Sequence, residues 1–121
     1  MRTVAVPIPD KSHGIRVWDQ LPESSEVPKN KEPYDFVCVL KHIDDSTCEV
    51  THAMGDLSNE VSIAIGQKAF DLGYEKLLFC RSSGGPASRW ATFLRSEDGL
   101  DYYEVDLKRT MDYYLKRLLH G

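Results

Sequence analysis

The chain has 121 residues, 41% of them hydrophobic, and a net charge of −4, as is typical of one soluble globular domain. This weakly acidic balance gives no electrostatic basis for binding nucleic acid, and no apolar run approaches the roughly 20 residues that span a bilayer. The three cysteines form no disulfide framework, which favours reduced thiols and a cytoplasmic location. We therefore expect a single domain over residues 1–121, with no membrane contact and no nucleic-acid partner.

The first 33 residues predict two strands followed by a polar loop. Residues 3–8 are rich in strand formers, but Pro7 and Pro9 cannot donate to a strand ladder, which favours a position at the sheet edge. A turn over 10–14 leads to a partner strand over 15–18. From 19 to 33, three prolines lie among polar and charged residues, so we predict an exposed connector loop and no second domain.

A hairpin follows, with strands over 34–43 and 48–54 and a turn over 44–47. If Ile43 faces Cys48, one face of the hairpin is almost entirely apolar and should be the core side. That predicted core face consists of Val37, Val39, Ile43, Cys48, Val50 and Met54. The predicted outer face consists of Phe36, Cys38, Leu40 and His42 with Glu49, Thr51 and Ala53.

A helix over residues 58–72 is the central element of the sequence, with Ser58 as its N-cap and Gly73 just after its end. The stripe predicted to face the sheet consists of Val61, Ile65, Ala69 and Leu72. Nearly opposite lie Ile63 and Phe70, with Gly66 between them, and we predict that these three residues bind a partner. Two alternatives are that the N-terminal strands cover them, or that the helix lies between the sheet and the C-terminal helix.

The remaining residues predict strands over 76–81 and 101–107 and a final helix over 107–119, capped by Asp106. Residues 86–95 read as a strand that enters a hairpin turn at Asp98 and Gly99. A helix that begins at Pro86 is the alternative. The predicted fold is α+β, a mostly antiparallel sheet with two helices packed on it, in the order ββ-loop-ββαβββα.

Two candidate sites arise from this pattern. Cys38 and His42, like Cys48 and His52, are four residues apart, which on a strand is about 13 Å and too far to share one ion. Cross-strand Cys and His pairs could share an ion only under a different hairpin register, so we predict no metal. The loop after the strand 76–81 could hold an anion or phosphate, above all if a helix followed it. Its candidate ligand-binding residues are Arg81, Ser82, Ser83, Gly84, Gly85 and Arg89.

The order of strand CEVTHAM, turn, helix SNEVSIAIGQKAFDLGY and strand EKLLFC resembles the centre of an N-acetyltransferase of the GNAT superfamily. In that family the turn holds the acyl-CoA pyrophosphate through a Gln/Arg-x-x-Gly-x-Gly/Ala motif. The matching residues 55–60 have one glycine, no basic residue and two acids. The resemblance covers about 35 residues and implies an inactive relative rather than an active enzyme.

No residue set in the sequence specifies catalysis, and we predict no catalytic residue and no cofactor. The leading hypothesis is a small cytosolic, non-enzymatic protein-binding module, such as an inhibitor or antagonist of a larger protein or complex. It acts on an unidentified protein partner or forms a homodimer. The alternative is a small acyl-CoA- or phosphate-ligand-binding protein, a degenerate N-acetyltransferase-like domain that uses residues 55–59 or 81–85.

Overall fold

The computed structural model describes residues 2–18, 35–55, 59–82 and 91–120. Its strands are β1 (Arg2–Pro7), β2 (His13–Trp18), β3 (Phe36–Asp44), β4 (Thr47–Gly55), β5 (Lys76–Ser82), β6 (Ala91–Glu97) and β7 (Leu100–Asp106). The helices are α1 (Asn59–Asp71) and α2 (Leu107–His120). In these ranges the strands form one sheet in the order β1-β2-β3-β4-β5-β7-β6, in which only β4 and β5 are parallel.

The predicted α+β class and the order of its elements are confirmed. β1 lies at the sheet edge, as its prolines predict, and residues 91–95 belong to a strand. Asp98 and Gly99 have φ of 52° and 79°, the two positive values that a two-residue type I′ hairpin turn requires. The predicted connector over 19–33 and the start of the 86–95 segment lie outside the described residues. No helix in the described ranges is long and apolar enough to cross a membrane.

The predicted register of the β3–β4 hairpin is wrong. His42, not Ile43, lies opposite Cys48, and Asp44 lies opposite Thr47, so that Ile43 is an extra residue on β3. A one-residue shift sends every side chain of a strand to the other face. The residues of β3 that are 3% exposed or less are therefore Phe36, Cys38 and Leu40. Two residues predicted to be core are instead exposed, Ile43 at 45% and Met54 at 71%.

The turn chemistry explains this shift. The Asp44 carboxylate accepts hydrogen bonds from the Ser46 backbone N–H at 2.9 Å and from its hydroxyl at 3.1 Å. An aspartate that bonds two residues ahead mimics a backbone turn and tightens it. The last pair before the turn is therefore Asp44 with Thr47. Because β3 has one residue more than β4 between this pair and the pair of His42 with Cys48, Ile43 has no opposite residue.

The core lies between the sheet and α1, with Leu107 at the start of α2 joining it. The predicted stripe of α1 is confirmed for Val61, Ile65 and Ala69, each at most 4% exposed. Gly73 has a φ of 100°, which ends the helix as predicted. Asp106 caps α2 by accepting a hydrogen bond from the Arg109 N–H at 3.1 Å. The sheet residues of the core are Ile15, Val17, Phe36, Cys38, Leu40, Cys48 and Leu77.

Candidate functional site

The parallel strands β4 and β5 are joined by the crossover helix α1, and their pairing stops early. Three residue pairs connect them: Thr47 with Lys76, Cys48 with Leu77 and Glu49 with Leu78. β4 then runs on to Gly55 and β5 to Ser82, and no further pair joins the two strands in the described chain. Beyond Glu49 and Leu78 the two strands are no longer bonded to each other, and we call their unpaired carboxyl ends the opening. Ligands of sheets with parallel strands commonly bind at such ends.

Hydrogen bonds hold β4 and β5 together at their amino ends. The Ser46 carbonyl oxygen accepts hydrogen bonds from the backbone N–H groups of Glu75 at 2.8 Å and Lys76 at 2.9 Å. A hydrogen bond of 2.8 Å also joins His42 Nδ1 to the Tyr74 hydroxyl. The first turn after α1 is thereby tied to the β3–β4 hairpin, and the unpaired parts of β4 and β5 are confined to their carboxyl ends.

The carboxyl end of β4 has an irregular backbone. Two residues, His52 and Ala53, lie opposite Cys38, and His52 has a φ of 52°, which is uncommon for a residue with a side chain. Gly55 has a φ of 112°, and a Cβ at this position would overlap the backbone carbonyl oxygen of Asp35. The bulge bends β4 near its end, and the positive φ of Gly55 requires a glycine where the strand stops.

The predicted ligand residues lie partly at this opening. Gly55 ends β4, and Arg81 and Ser82 form the carboxyl end of β5, so the described residues of the predicted segments 55–59 and 81–85 include the same end of this parallel strand pair. The Arg81 guanidinium lies 5.5 Å from the ring centroid of Phe79 and 5.7 Å from that of Tyr103. Ser83, Gly84, Gly85 and Arg89 lie outside the described residues, and their ligand role stays a prediction.

The predicted partner-binding residues of α1 are in different environments. Gly66 is buried, and a Cβ there would lie 3.6 Å from Met111 Cε and 3.7 Å from Leu107 Cδ2, so α2 covers this position. One of the two alternatives, a C-terminal helix packed on α1, therefore accounts for Gly66. Ile63 is half-buried and Phe70 is 38% exposed, and their binding of a partner stays a prediction.

The sequence pattern did not predict the exposed apolar pair on the edge strand β6. Phe93 is 54% exposed and Leu94 is 42% exposed. The alternation of β6 predicts opposite faces for these neighbours, but a register shift leaves Leu94 without an opposite residue on β7. A bulge of this kind has no local sequence signature, so only the pairing of β6 with β7 reveals it.

The described residues contain no group of three His, Cys, Asp or Glu side chains that could hold a metal ion. Cys38 and Cys48 are both buried, and burial raises the pKa of each thiol to about 12. Cys80 is exposed. A thiolate is the reactive form of cysteine, so the two buried thiols are chemically inert at neutral pH.

We expect one thiol of the three to react in the native protein. Iodoacetamide at pH 8 should label Cys80 within minutes and leave Cys38 and Cys48 unmodified, because the latter are inaccessible and protonated. Mass spectrometry of tryptic peptides measures this pattern, and labelling in denaturant gives the control in which all three react. Rapid native labelling of Cys48 would contradict the burial of the β3–β4 hairpin.

No protein-family model matches the sequence, and no curated protein matches it significantly. What the chain binds must therefore be inferred from its own geometry and side chains.

Proposed function

We propose that this chain is a small non-enzymatic protein-binding module that occupies a surface of a larger protein, as an inhibitor or antagonist does. The observation that carries this proposal is the exposed pair Phe93 and Leu94 on β6. Every residue of β6 from 92 to 97 is exposed, and these two neighbours are its large apolar side chains. Exposed apolar groups of this size, surrounded by polar ones, are typical of protein interfaces.

The surroundings of Phe93 support a role as an anchor. Its ring meets the Tyr103 ring edge-on at 5.8 Å, and Tyr103 stacks on Phe79 at 5.3 Å. A ring already held by its neighbours loses little conformational entropy when a partner covers it. Arg95 stacks on Tyr102 at 4.2 Å and lies 3.4 Å from Glu97, which places charged groups beside the apolar pair. Aromatic and arginine side chains are enriched among the residues that dominate binding energy.

The test is partner capture by three forms of the chain: native, the double variant Phe93→Ser with Leu94→Ser, and the control Thr92→Ser on the same strand. The double variant should lose a protein that the native chain captures from an extract of its source cells, and the control should keep it. Because both side chains are half exposed, unfolding free energy should fall by only about 1 kcal/mol. Undiminished capture by the double variant would refute the proposal. Light scattering on the same samples shows whether the lost partner is a second copy.

A second candidate function, binding of an acyl-CoA or phosphate ligand, is favoured by the opening between β4 and β5. The two segments that the sequence predicts for such a ligand, 55–59 and 81–85, include Gly55, Arg81 and Ser82 at the carboxyl ends of β4 and β5. Acetyl-CoA at 100 times its dissociation constant would stabilise the chain by about 2.7 kcal/mol. An unchanged melting temperature in millimolar acetyl-CoA, with inorganic phosphate as the parallel sample, would refute this candidate.

A further inference from the structure

We draw no further inference here: the strongest candidate, the outer edge of strand β6 beside the exposed side chains of Phe93 and Leu94, belongs to the surface already proposed for partner binding, and nothing in the described residues shows which kind of partner covers it.

Discussion

Changing Leu40 to Ala is expected to lower the free energy of unfolding by about 2–5 kcal/mol, the largest effect of any substitution considered. Leu40 is fully buried on β3, opposite Val50, in the cluster that faces α1. Truncation to Ala removes apolar contacts and leaves a cavity that the surrounding strands can fill only in part. Urea denaturation of the variant measures the loss.

Ile43 on the same strand provides the matched control. It is 45% exposed and stands at the irregularity before the turn, so Ile43→Ala should cost less than about 1 kcal/mol. The two substitutions decide the register of the hairpin, because pairing of Ile43 with Cys48 would exchange their roles. If Ile43→Ala lowered the free energy of unfolding more than Leu40→Ala, the face of β3 that carries Ile43 would be the buried one.

Gly66→Arg is expected to destabilise the chain by about 1–3 kcal/mol, as overpacking of a tight interface does. An added Cβ at Gly66 lies in ordinary contact with Met111 and Leu107, and a long side chain beyond it has to displace α2. Thermal unfolding measures the effect. If Gly66 instead faced only an external partner, the melting temperature would be unchanged and association would be lost.

Gly66→Ala separates crowding from helix propensity. The new methyl group fits at 3.6 Å from Met111 Cε, and Ala is about 1 kcal/mol more favourable than Gly inside a helix. We therefore expect equal or greater stability for Gly66→Ala and a loss for Gly66→Arg. A loss from both variants would mean that α2 packs closer to α1 than the geometry indicates.

The sequence by itself determined the elements and most of their ends, because these depend on local chemistry. The apolar stripe of α1, its end at Gly73, the cap at Asp106 and the Asp98–Gly99 hairpin turn each result from residues within a few positions of one another. The edge position of β1 also follows from local chemistry, since Pro7 lacks the donor that a central strand needs.

Tertiary structure alone decided the features that depend on residues distant in sequence. β3 is apolar on both faces, so its pattern could not choose the buried one, and a single extra residue at Ile43 made the choice. From sequence alone, Gly66 could equally well lie in a partner-binding surface or in a contact with another part of the chain. Only the fold places Leu107 and Met111 beside it. The opening at β4 and β5 is the clearest case. Both strands have ordinary sequences, and beyond Glu49 and Leu78 they pair with different neighbours, β3 and β7.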